Sequence, residues 1–139
     1  MTRERMRWYV DAQPTIAADD GRIHTQEPTI HDDDDFARSQ GLPGIIADGM
    51  ISTNWILNLL IDLFGREIAA RCKLRTKYVA PIYEDQIVVT CARVKHISQE
   101  GDGQTGISLD VWCEDDKKTM LTVGEALVFV HAAQAPSPA

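Results

Sequence analysis

The chain lacks both a long apolar run and a leader-like N-terminus. Its most apolar stretch, residues 50–64, contains Ser52, Asn54, Asn58 and Asp62 and is shorter than the ~20 residues that a membrane-spanning helix needs. The first residues are charged, and no apolar segment of the kind found in secretory signals follows them. We therefore expect a protein that neither spans a membrane nor is exported, and that works in the cytoplasm.

Cysteine is scarce as well. The three cysteines, Cys72, Cys91 and Cys113, are odd in number and widely spaced, which fits neither a disulfide framework nor a zinc site. We expect them to be core or half-buried residues of a reduced protein. His24 precedes His31 and the acidic run after it, but its spacing and loop context resemble no known ligand pattern. The sequence therefore predicts no metal site.

Basic side chains are outnumbered, with 14 lysines and arginines against 21 acidic residues and a formal net charge of −7. Such a chain lacks the basic stripe that affinity for a phosphate backbone requires, so we expect no nucleic-acid partner. Its 139 residues are enough for one domain with a single core.

Periodicity and turn signals place helices before strands along the chain. Residues 8–12 are typical of a short strand, residues 32–40 of a short helix and residues 49–64 of a longer helix. Enrichment in β-branched residues then predicts about four long antiparallel strands, at residues 71–79, 86–97, 106–113 and 119–130. This order predicts an α+β fold. The last residues, 132–139, have no periodicity and are expected to form a flexible tail.

The longer predicted helix carries the clearest local signals. Asp48 is a suitable N-cap, and Gly65 is a suitable C-terminal stop. Apolar residues cover nearly its whole circumference, so we expect other structure to wrap around it. Its polar residues Asn54 and Asn58 could line a substrate tunnel or face a partner helix. In the shorter helix, the aspartates at residues 32–35 suit the positive end of the helix dipole, which gives them a structural role without a metal.

Four short motifs, in this order and at these separations, resemble one known family. They are His31 followed by acidic residues, Ala37 and Gly41; the turn Gly44–Met50; the connection Val79–Asp85; and the closing strand Val123–Val130. Over roughly residues 24–130 the chain is similar to the MaoC-like, or (R)-specific enoyl-CoA hydratase, branch of hot-dog-fold proteins. The resemblance implies one hot-dog domain over residues 1–131, in which an antiparallel sheet wraps around one long buried central helix.

The resemblance also implies a site. In the hydratases of this family, an aspartate and a histidine hold and activate the water that adds across an enoyl thioester. A backbone amide at the start of the central helix stabilises the enolate oxygen. On this chain the histidine falls on His31, the amide on Gly49 and the aspartate on Gln26. Gln26 can hydrogen-bond a water but cannot take or give a proton at neutral pH. Asp48, where family members often carry a histidine, is the candidate replacement acid.

Each of these residues also has a structural interpretation. His31 could cap the following helix or be satisfied in the core, Asp48 could serve only as a helix N-cap, and Gly49 could be required by a tight turn. Glu27 and the aspartates at residues 32–35 are poorer candidates for the missing carboxylate, because we expect them to be solvated or to compensate the helix dipole.

Three functions follow as hypotheses. The first is a lyase that hydrates or dehydrates an enoyl or 3-hydroxyacyl thioester of CoA or an acyl carrier protein, with His31 as base, Gly49 as oxyanion donor and no metal or redox cofactor. The second is a non-catalytic or heteromeric hot-dog subunit that binds an acyl thioester. The third is a hot-dog acyl-CoA thioesterase that relies on Asp48. The resemblance implies a homodimer, a higher homo-oligomer or a heteromer with another hot-dog chain.

Overall fold

The computed structural model describes residues 1–11 and 28–131, in an α+β arrangement. The helices are α1 (Arg3–Asp11), α2 (Asp34–Ser39) and α3 (Gly49–Phe64), with short 3₁₀ turns at Arg66–Ala70 and Gly101–Gly103. The strands are β1 (Cys72–Tyr78), β2 (Val88–Gln99), β3 (Gln104–Asp115) and β4 (Met120–His131). None of these helices is both long and apolar enough to cross a membrane. Both predicted helices and the four predicted strands are confirmed. His24, Gln26, Glu27 and the predicted tail lie outside the described residues.

The chain divides into two compact units. The first comprises Met1–Ile51 and Pro81–Ile87, and the second comprises Ser52–Ala80 and Val88–Ala139. The first unit therefore holds α1, α2 and the first residues of α3, while the second holds the rest of α3 and all four strands. A single domain over residues 1–131 stays a prediction.

In the second unit, one antiparallel sheet packs against one face of α3. Its strand order is β1-β4-β3-β2. The fully buried Ile56 and Leu60 of α3 join a cluster of apolar side chains from the sheet and the following turn: Ile68, Ile107, Leu109, Val111, Cys113, Ala126, Val128 and Val130. Asn54, Asn58 and Asp62 follow one another at one-turn intervals on α3 and are exposed. The helix thus has an apolar face that packs against the sheet and a polar face that is exposed.

Buried hydroxyl groups fix α3 to the strands, and a glycine fixes the strand pairing. The Ser52 and Thr122 hydroxyl oxygens are 2.7 Å apart, and both side chains are almost fully buried. Gly124 of β4 lies opposite Thr76 of β1, and a Cβ atom there would be 2.2 Å from the Arg75 carbonyl oxygen. Glycine is required at this position because the two backbones approach too closely for any side chain.

The strand predicted at residues 8–12 is wrong, because helix α1 covers Arg3–Asp11. Met6 is buried, and the Arg3 guanidinium binds carboxylates. Residues three apart share a face in a helix but not in a strand. A helix therefore lets the Arg3 and Met6 side chains make their contacts from one face, which outweighs the preference of the Trp-Tyr-Val run for a strand. Trp8 of that run remains 69% exposed.

Candidate functional site

His31 lies in a turn ahead of α2, and its ring is held by the backbone. The Nδ1 atom is 2.9 Å from the carbonyl oxygen of Ile46. Because a carbonyl oxygen can only accept, Nδ1 carries the hydrogen, and in the neutral ring Nε2 is left as the proton acceptor. Thr29 braces the turn, since its hydroxyl accepts from the His31 amide at 3.1 Å while donating to the Asp32 carboxylate at 2.8 Å. The ring is therefore oriented with its basic nitrogen away from Ile46.

Asp48 has two separate roles, one for each carboxylate oxygen. Its Oδ1 accepts from the Met50 amide at 2.8 Å, which confirms the predicted N-cap of α3. Its Oδ2 is 3.9 Å from His31 Nε2, and the two side chains are 21% and 24% exposed. This separation exceeds a direct hydrogen bond, yet one oxygen atom of a water or substrate can lie within hydrogen-bond distance of both atoms. The cap and the partner of the histidine are thus the same side chain.

Gly49 is the first residue of α3 and directly follows Asp48. The helix dipole and the first amides make this end of a helix favourable for negative charge. Gly49 is not among the glycines with a positive φ in the described chain, which are Gly41, Gly65 and Gly103. A left-handed turn therefore does not explain the glycine at this position.

The aspartates at residues 32–35 all have hydrogen-bond or ion-pair partners. Asp33 Oδ1 accepts from the Phe36 amide at 2.7 Å and caps α2. Asp32 closes the turn that holds His31, and Asp35 pairs with Arg38 at 3.1 Å. Within residues 1–11 and 28–131, no cluster of three or more His, Cys, Asp or Glu side chains could hold a metal ion.

Arg3 is a residue of this unit that the sequence did not single out. Its guanidinium donates to Asp34 at 2.6 Å and to Glu84 at 2.6–3.0 Å. These hydrogen bonds lower the pKa of both carboxyl groups below the ordinary range, and for Asp34 the Ile45 amide adds to the effect. No local signal could have revealed the network, because its members are 31 and 81 residues apart.

Solved structures of similar fold were found for the whole length of the chain. A MaoC-like dehydratase from Rhodospirillum rubrum has 13% identity and a TM-score of 0.70, over 99% of this chain and 87% of that one. The R-hydratase PhaJ1 from Pseudomonas aeruginosa has 12% identity and a TM-score of 0.67, over 100% and 84%. The HadBC 3R-hydroxyacyl-ACP dehydratase complex from Mycobacterium tuberculosis has 12% identity and a TM-score of 0.66, over 93% of this chain and 87% of that one.

No family model matches the sequence, and no curated protein matches it either. The structural likeness nevertheless confirms the predicted hot-dog fold. The solved structures that the chain resembles include MaoC-like dehydratases and (R)-hydratases, as the sequence motifs indicated.

Proposed function

We propose that this protein hydrates an enoyl thioester, or dehydrates the corresponding 3-hydroxyacyl thioester, as a hydro-lyase of the hot-dog fold. The proposal is carried by the pairing of His31 Nε2 with Asp48 Oδ2 across 3.9 Å, beside the start of α3. Structural neighbours that are named dehydratases and hydratases support the same reaction class. The acyl chain is held by CoA or by an acyl carrier protein.

In the hydration direction, His31 Nε2 takes a proton from the water whose oxygen bonds to C3 of the enoyl group. The C2=C3 electron pair moves toward the thioester carbonyl, which becomes an enolate oxygen. The Gly49 amide, at the positive end of α3, stabilises that charge. The proton then passes to C2 from His31 or through Asp48, so that the elements of water are added overall. Gln26 is assigned a hydrogen bond that orients the water.

The test is hydration of a panel of enoyl-CoA esters by the wild-type protein and by His31→Ala. We expect the variant to lose about 10²–10⁴-fold in rate, because a positioned general base contributes that much. His96→Ala is the matched control, since His96 is an exposed histidine on β2. Equal rates in the wild type and His31→Ala would rule out the assigned role.

A heteromeric or non-catalytic subunit is the second candidate, and the glutamine at position 26 favours it. The structurally similar HadBC dehydratase is itself a complex. Purifying this chain alone separates the two candidates, because a homo-oligomer that turns over enoyl-CoA excludes a passive role. Release of free thiol from a saturated acyl-CoA would instead indicate the thioesterase activity that we rank third.

The proposal includes assembly as a homodimer or higher oligomer and a reduced, cytoplasmic setting. All three cysteines are free thiols, and burial raises the pKa of each of them, which fits unreactive residues of a reduced protein.

A further inference from the structure

A single arginine joins three segments of the first unit. Arg3 of α1 donates through Nη1 to Asp34 Oδ2 at 2.6 Å, which ties it to the first turn of α2. It also donates through Nε and Nη2 to Glu84 at 3.0 and 2.6 Å, which ties it to the loop Pro81–Ile87. The three side chains are 28–42% exposed. The forked geometry makes this network more specific than an ordinary surface ion pair.

Both carboxylates that Arg3 binds belong to segments that hold the backbone around Ile46. Asp34 uses its second oxygen, Oδ1, to accept from the Ile45 amide at 3.2 Å. Glu84 follows Tyr83, which forms an antiparallel bridge with Ile46. A further bond, from the Ala47 amide to the Ile82 carbonyl at 2.8 Å, fixes the same loop. Ile46 therefore lies between two backbone segments, and each of them is linked to a carboxylate that Arg3 binds.

The Ile46 carbonyl is also the group that receives Nδ1–H of His31. We infer that Arg3 is a positioning residue: by holding the backbone on both sides of Ile46, it keeps the proton of His31 on Nδ1 and its Nε2 directed toward Asp48. The tautomer part of this inference stands on the contacts alone. Its consequence for catalysis rests on the proposed function.

Arginine is needed for this role rather than positive charge alone. Its planar fork reaches two carboxylates in fixed directions, whereas a lysine presents one flexible ammonium. Arg3→Lys therefore keeps the charge and removes the geometry, while Arg3→Ala removes both. Arg38→Ala is the matched control, because Arg38 is an exposed arginine of the same unit that pairs with Asp35 along its own helix.

The tautomer is measured directly by NMR of protein labelled with ¹⁵N-histidine at a pH where the ring is neutral. In the wild type and Arg38→Ala, we expect the His31 nitrogen shifts of a ring protonated on Nδ1. In Arg3→Ala and Arg3→Lys, we expect the two shifts to move toward each other as both tautomers become populated. Unchanged shifts in a folded Arg3 variant would overturn the inference. If neither Arg3 variant folds, Glu84→Gln is used instead, because it keeps the side-chain volume and weakens the paired hydrogen bonds from Arg3. The same His31 nitrogen shifts then test the inference.

Turnover gives a second readout that a purely structural role would not produce. We expect Arg3→Lys to lower kcat about 10-fold while KM for enoyl-CoA changes less than about 2-fold, because misorientation of a catalytic group affects the chemical step. Arg38→Ala should match the wild type in both. An inactive wild type whose tautomer still depends on Arg3 would refute the proposed function only. An active wild type with Arg3-independent shifts would refute this inference only.

Discussion

Asp48 is the residue at which helix capping and the proposed proton relay can be separated by experiment. Its Oδ1 accepts from the Met50 amide at 2.8 Å, while its Oδ2 lies 3.9 Å from His31 Nε2. Asparagine caps a helix about as well as aspartate but cannot transfer a proton at neutral pH. Asp48→Asn therefore keeps the first role and removes the second, whereas Asp48→Ala removes both.

The expected magnitudes differ between the two variants. Loss of an N-cap costs about 1 kcal/mol, so Asp48→Ala should lower the free energy of unfolding by about that amount. Asp48→Asn loses only the attraction between a charge and the helix dipole, about 0.5 kcal/mol. If Asp48 relays the proton, both variants should lose about 10²–10⁴-fold in hydration rate. Stability thus distinguishes the variants, and activity does not.

Urea denaturation followed by circular dichroism measures the stability, and consumption of enoyl-CoA measures the activity. Asp62→Asn is the control for charge removal, because Asp62 is an exposed carboxylate near the other end of α3. Wild-type turnover by Asp48→Asn would show that Asp48 is a cap and nothing more. Equal destabilisation by Asn and Ala would show that the Oδ1 hydrogen bond does not support the helix.

Three further predictions concern other residues of the chain. Gly49→Pro removes the proposed oxyanion donor at a position where proline suits a helix, so hydration should fall about 10²–10³-fold, while Gly49→Ala retains the amide and the activity. Gly124→Ala should cost about 3 kcal/mol or more in urea denaturation, because its Cβ would be 2.2 Å from a carbonyl oxygen; Gly101→Ala, with open space around it, should be neutral. Arg3 lowers the pKa of the Asp34 and Glu84 carboxyl groups in the folded state. Its contribution to Tm should therefore be complete above the ordinary pKa of these groups and disappear as the pH falls through the lowered values. A wild-type advantage in Tm over Arg3→Ala that persists unchanged in acid would contradict this.

The parts of the fold that local signals encode could be predicted from the sequence. Helix α3 begins at Gly49 and ends at Phe64, as expected from the cap at Asp48 and the stop at Gly65. The four strands were predictable because β-branched enrichment and turn residues act within a few positions. Helix α1 was not predictable, since it depends on carboxylates that are 31 and 81 residues away.

The candidate site divides in the same way. The sequence motifs predicted His31, Asp48 and Gly49 as candidate site residues. The structure places Asp48 beside the histidine ring. The partner that orients the ring is the backbone carbonyl of Ile46. The sequence could not predict this contact, because every residue has a backbone carbonyl. Gln26 lies outside the described residues, so its part in holding the water stays a prediction.

The shared use of Asp48 links the start of α3 to the location of a proton. When the carboxyl gains a proton, the oxygen that accepts from the Met50 amide loses negative charge, and that hydrogen bond weakens. The Met50 N–H is therefore a built-in reporter of the state of the acid beside His31. Its chemical shift should respond to the proposed transfer of a proton through Asp48, although Met50 itself takes no part in the proposed reaction.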